Sequence, residues 1–143
     1  MAQATTDYSH RSVVQKLGVK PNERVEIAGD VGPGLRRDVK EVLGRGLVRS
    51  GELDGAIVMV QSTDEAERAF DAYRPRLRDT GYLWLITPKR GQDGYINQMA
   101  LVPGGKRRGL IDNKTCSIDE LRSGIRFVVP RARRAAAKGS DAA

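Results

Sequence analysis

Two hydrophobic rhythms alternate along this chain. Asp54 to Gln61 holds an unbroken apolar run, Ala56 to Val60, and Gly81 to Thr87 reads Gly-Tyr-Leu-Trp-Leu-Ile-Thr before Pro88 stops it. Apolar runs without alternation predict strands buried on both faces, as in a parallel sheet. Arg24 to Ala28 predicts a shorter strand and Gly109 to Ser117 another. Ile125, Phe127 and Val129, set among Arg126 and Val128, predict a final half-exposed strand. The second rhythm is helical. Val13, Val14 and Leu17 fall on one side of a short helix from Ser9, its N-cap, to Gly18, its stop. Leu35, Val39, Val42 and Leu43 form the stripe of a second helix, closed by Gly44 and Gly46. Ser62 with Glu65 has capping-box spacing and opens a third, whose inward stripe is Ala66, Ala69, Phe70, Tyr73 and Leu77. Tyr95 to Val102 predicts a fourth, short helix with Tyr95, Met99 and Val102 along one side, broken by Pro103-Gly104-Gly105.

The order β-α-β-α-β-α-β-β predicts an α/β fold. It is a three-layer, Rossmann-like arrangement with a mostly parallel sheet of about five strands, right-handed crossovers and an antiparallel strand at the C-terminal end. The short link from Ile118 to Gly124 makes the last two strands an antiparallel pair. Length fits one domain, residues 8–130, between segments 1–7 and 131–143, which offer little to bury and are expected to be disordered. No apolar run approaches a membrane span, and the first residues lack the apolar stretch of a secretory signal. With Cys116 as its single cysteine, the chain is expected in the cytoplasm.

Charge is placed unevenly. Residues 1–103 hold 15 Lys+Arg against 14 Asp+Glu, and residues 104–143 hold 10 against 4, so six of the seven net positive charges belong to the last quarter. Lys106, Arg107, Arg108, Arg131, Arg133 and Arg134 are therefore candidates for weak polyanion or nucleic-acid contact. The same block also reads as a solvated tail, since residues 131–143 carry no aromatic side chain for base stacking.

Chemistry is sparse. One histidine, His10, and one cysteine cannot make a zinc site of the common kinds, and no nucleophile elbow or P-loop is present. No catalytic residue, metal or cofactor is expected. The suggestive segment is the turn after the first strand, Gly29-Asp30-Val31-Gly32-Pro33-Gly34. It is either a tight strand-to-helix turn or a cradle that lets backbone approach a ligand. Its Gly-x-x-Gly-x-Gly spacing is not the dinucleotide fingerprint, and residues 35–54 leave no room for a second strand ending in a ribose-holding acid. Open parallel sheets bind ligands beyond the carboxyl ends of their strands. That edge would carry Gly29, Asp30, Gly32 and Gly34, then Gln61, Ser62 and Thr63, then Thr87, Pro88, Lys89 and Arg90. Lys89 and Arg90 could clamp an anion, and Asp30 could accept a hydroxyl.

Tyr8-Ser9 with Lys16-Leu17-Gly18-Val19-Lys20-Pro21, the strand Ala56 to Val60, Gly81 to Lys89, Cys116 to Glu120 and Ser123 to Val128 together resemble one family. It is the domain of unknown function numbered 3052, common in actinobacteria, and the resemblance spans about residues 8–130. The family often has Trp where this chain has Thr87 and Arg122, so a pocket lined there would differ. More distantly, the order of elements is similar to the second half of a Class I methyltransferase, where a glycine turn holds S-adenosylmethionine and an antiparallel strand closes the sheet. The reading preferred on these grounds is a non-catalytic binding or regulatory protein on a degenerate methyltransferase-like fold, with a protein partner or with itself. An enzyme or sensor binding a nucleotide-like or S-adenosylmethionine-like molecule at the strand ends is the alternative, and nucleic-acid association through the basic last quarter is a second.

Overall fold

The structure, a computed structural model, describes residues 13–131. Ser9, His10, Arg133, Arg134 and the two segments expected to be disordered, apart from Arg131, lie outside the described residues. Five strands form one sheet in the order β1-β2-β3-β5-β4: β1 (Val25–Ala28), β2 (Leu53–Met59), β3 (Leu77–Pro88), β4 (Ile111–Ser117) and β5 (Arg122–Val128). β1, β2 and β3 run parallel, with Ala28, Val58 and Leu85 in one row. β5 is antiparallel to both β3 and β4. The fold is thus the α/β arrangement expected from the two rhythms.

β5 takes an inner place in the sheet. It enters between β3 and β4, so both its edges are paired and it is not the last strand of the sheet, while its faces alternate as expected, Ile125, Phe127 and Val129 buried and Arg126 and Val128 only half-buried.

Helices cover both faces. Helix α1 (13–17) and α2 (Pro33–Leu43) pack on one side through Val14, Leu17, Leu35, Val39 and Leu43. These meet Val25, Ile57, Tyr82, Trp84 and Ile86 of the sheet. On the other side α3 (Thr63–Tyr73) and α4 (Val102–Arg107) cover Ala56, Val58, Leu83, Leu85, Ile125 and Phe127. Trp84 is completely buried, and its Nε1 donates to the Leu17 carbonyl at 2.7 Å, tying α1 to the sheet. Among the described residues no helix is long and apolar enough to cross a membrane.

The crossovers are not both right-handed. β1, β2 and β3 succeed one another in a single direction, yet α2 lies on one face and α3 on the other. A parallel step in the same direction with its helix on the opposite face has the opposite hand, so one of the two is left-handed against the strong general preference. The link over residues 44–52 makes this geometry feasible. It forms no strand and runs along the outer edge of β1, where the Val48 amide donates to the Val25 carbonyl at 2.9 Å. Arg24 pins it by donating through Nε to Glu52 O and through Nη2 to Ser50 O, both at 2.9 Å.

Local chemistry explains the element ends. Ser62 Oγ accepts from the Glu65 amide at 3.0 Å, while Glu65 Oε1 accepts from the Gln61 amide, one residue ahead of the expected box partner, at 3.2 Å. The fourth helix departs from its expected position. A 3-10 turn over Gln98–Leu101 leads into α4, which runs through Pro103, Gly104 and Gly105 instead of stopping there. Proline is tolerated in a first helical turn, and the glycines serve close packing. A Cβ on Gly105 would lie 2.7 Å from the Phe127 ring, and one on Gly104 would lie 2.3 Å from Glu67 Oε2. The inward residues there are Ile96 and Leu101; Tyr95 and Met99, expected on the buried stripe, are 41% and 56% exposed.

α3 and α4 are also joined by charge. Arg107 Nη2 reaches both Glu67 oxygens at 2.9 Å, and Arg108 bonds Glu67, Asp71 and the Gly104 carbonyl while lying 5.6 Å from the Phe70 ring centre. Hydrogen bonding from Arg107, with Arg108 beside it, holds the Glu67 carboxyl below its ordinary value of 4.5.

Gly105→Ala should destabilise the fold by about 1–3 kcal/mol through overpacking, despite a gain of about 1 kcal/mol in helix propensity. Gly46→Ala, where nothing lies within 4 Å of the new Cβ, should change stability by less than about 0.5 kcal/mol. Urea unfolding of the two variants measures both. The Glu67 pairing stabilises the fold above the ordinary carboxyl value and is lost as pH falls through the lower folded-state value. Glu67→Gln should therefore flatten the dependence of the melting temperature on pH as the pH is taken down through and below the ordinary carboxyl value.

Candidate functional site

The carboxyl ends of β1, β2 and β3 point to one edge, where two hollows open on either side of Pro88, which lines both. The first, of about 420 Å³, lies beside the glycine turn and is lined by Gly29, Asp30, Met59, Gln61, Glu65, Gln92, Asp93, Leu121 and Arg122. The second, of about 300 Å³, is lined by Thr87, Lys89, Arg90, Tyr95, Ile96, Asn97, Gln98, Met99 and Ser123.

An arginine closes the glycine turn. Arg122 begins β5, whose antiparallel course brings its first residue to the ends of the parallel strands. Its Nε donates to the Asp30 carbonyl at 3.1 Å, its Nη2 to Asp30 Oδ2 at 3.0 Å and its Nη1 to Asp119 Oδ2 at 2.9 Å. Asp119 is itself fixed, its Oδ1 accepting from the amides of Leu121 and Arg122. A charged fork with every nitrogen engaged is a strong anchor, and the Arg122 side chain is only 15% exposed. Gly32, at φ 105°, sits directly beneath: a Cβ there would lie 3.1 Å from Asp119 Oδ2 and 3.5 Å from Arg122 Nη1. The positive φ favours glycine at that position, and a side chain there would crowd the Asp119–Arg122 pair. The guanidinium thus lies against the turn and forms one wall of the first hollow.

The second hollow is chemically different. Thr87, Ser123 and Ser117 are cross-strand partners on β3, β5 and β4 and so form a row of hydroxyls on one face of the sheet. Thr87 is buried and accepts from Gln98 Nε2 at 3.1 Å. Lys89 Nζ donates to Ser117 Oγ at 2.7 Å, and the Arg90 guanidinium lies 5.8 Å from the Tyr95 ring centre.

The nine strand-end candidates therefore separate. Gly29 and Asp30 line the first hollow; Thr87, Lys89 and Arg90 line the second. Gly32 caps α2, Gly34 lies in its first turn, Ser62 caps α3 and Thr63 begins it; none of these four lines either hollow. Lys106 and Arg131 are exposed, whereas Arg107 and Arg108 are engaged with α3. Cys116 is buried on β4, and burial pushes its thiol up from the ordinary value. Among the described residues no group of three or more His, Cys, Asp or Glu could hold a metal ion. Arg122 stood out in the sequence only as a position where the family often has Trp; the residues missed are Leu121 from the β4–β5 turn, Ser123 from the start of β5, and Tyr95 to Met99 from the segment read as a buried helix. The signal for the β4–β5 turn was Asp119, an aspartate two and three residues before the amides it accepts from, which marks a tight side-chain turn.

Solved structures share this frame. A SAM-dependent methyltransferase from Aquifex aeolicus superposes with a TM-score of 0.65 at 10% identity, covering 85% of this chain and 89% of that one. Magnesium protoporphyrin IX methyltransferase from Synechocystis with bound SAM gives 0.55 at 15% identity, covering 90% and 80%. Aeropyrum pernix fibrillarin with natively bound S-adenosyl-L-methionine gives 0.54 at 16% identity, covering 84% and 74%. At these identities the likeness is one of fold, and the fold is methyltransferase-like. No curated protein matches the sequence. The model of a family described as protein of unknown function (DUF3052) matches residues 14–131, and the chain belongs to that family.

Proposed function

We propose that this protein binds rather than transforms its ligand or partner, acting as a non-catalytic binding or regulatory protein on a methyltransferase-like frame, in the cytoplasm. The observation that carries this is the Arg122 fork lying over the glycine turn, bonded to Asp30 and Asp119.

The topology supports the same reading. A doubly wound sheet has strand order 3-2-1-4-5-6, with the cofactor at the crevice beside strand 1 and an acid about twenty residues on holding the ribose. Removing strands 2 and 3 from that order would leave strand 1 beside strand 4, joined by a helix on the face opposite the next one. That is the relation of β1, α2, β2 and α3, with a strandless link over residues 44–52. The ribose-holding strand has no counterpart among the described residues.

Saturating S-adenosylmethionine, S-adenosylhomocysteine or ATP should leave the melting temperature unchanged, where a turn-bound ligand at about 100 times its dissociation constant would add about 2.7 kcal/mol. Arg122→Ala should still show no response, because it clears the turn without supplying the ribose acid. Saturable stabilisation of the wild type by S-adenosylmethionine, with methyl transfer to any acceptor, would sink this reading.

A further inference from the structure

We propose that the hollow at the end of β3 binds a small carboxylate carried on an apolar body. The inference rests on the binding reading above and names the ligand's chemistry.

Charge separates the two hollows. The one beside the glycine turn holds Asp30, Glu65 and Asp93 against Arg122, which is already paired. The one at the end of β3 holds Lys89 and Arg90 and no carboxylate. An anion is repelled from the first and attracted to the second.

The floor supplies donors. Thr87 is a buried polar side chain, 1% exposed, at the end of an apolar strand. Its oxygen accepts from Gln98, so its own proton is left to donate. Ser123, its cross-strand partner, also lines the hollow, and its hydroxyl has no partner among the described residues. Lys89 spends one of its three ammonium protons on Ser117 and keeps two. A carboxylate's two oxygens match this set of hydroxyl and ammonium donors.

The walls call for something more than an anion. Tyr95 and Met99 are two of the four large hydrophobic side chains left exposed among the described residues, at 41% and 56%, and both line this hollow with Ile96. A bare inorganic anion would leave them wet, while an apolar body would cover them. At about 300 Å³ the space sits at the lower end of small-ligand pockets, which fits a compact acid.

The test is an NMR titration of the ¹⁵N-labelled full chain with 3-phenylpropionate. Its neutral amide, phenethylamine and inorganic phosphate are run in parallel. The acid should give saturable shifts at amides within residues 87–99 and at Ser123. The amide should bind at least about tenfold more weakly, the loss expected for one charge-assisted hydrogen bond. Lys89→Met should weaken the acid by a similar factor, and Ser123→Ala by less, with both variants keeping the wild-type spectrum elsewhere. The proposal is overturned if the acid does not saturate, if amide or phosphate binds equally well, or if Lys89→Met binds as the wild type does. Acid-induced shifts confined to residues 29–34 would overturn it too and would count against the closed glycine turn, whereas silence everywhere would leave that turn's closure standing.

Discussion

The structure depends on β3 being buried on both faces. Tyr82, Trp84 and Ile86 point into one core and Leu83 and Leu85 into the other, each 2% exposed or less. A strand of this kind is stable only if helices cover it from both sides, and that requirement dictates the three layers. It also fixes where β5 must go. The last apolar strand pairs with the remaining edge of β3, aligning Leu83 with Phe127 and Leu85 with Ile125, so one core continues unbroken across the antiparallel junction. Phe70 of α3 then meets Phe127 edge to face, with ring centres 5.0 Å apart, and Gly105 lets α4 close over the pair.

The parallel core was legible because its strands are written as apolar runs and its helices as regular stripes. Two features escaped for a shared physical reason: they are decided by tertiary packing and leave little local trace. The hand of a crossover depends on which face a helix takes, and α2 and α3 carry similar apolar stripes that do not reveal it. The continuation of α4 through Pro103-Gly104-Gly105 contradicts local propensity. It is sustained by burial of Leu101, Gly104 and Gly105 and by the arginines that bind Glu67.

At the strand-end edge, reading direction along the sheet sufficed to find Thr87, Lys89 and Arg90, because a parallel strand delivers its last residues to a known side. An antiparallel strand delivers its first residues there, so Arg122 and Ser123 belong to the same edge while lying more than thirty positions away in the chain. Asp30 was seen as an acceptor for a ligand hydroxyl, and in the structure it accepts from Arg122 and from the Gly32 amide. The basic last quarter likewise reads as free charge in the sequence, yet Arg107 and Arg108 serve as ties between helices.

The strandless stretch beside β1 has an effect beyond topology. β1 has only four residues and forms one end of the sheet, where a bare ladder would invite another chain to add a strand. With Val48 bonded to Val25 and Arg24 holding Ser50 and Glu52 in place, that margin is fenced off from growth. The opposite margin of the sheet is β4. There β4 breaks its register between Asp112 and Lys114, an irregularity of the kind that makes an edge a poor template for a further strand.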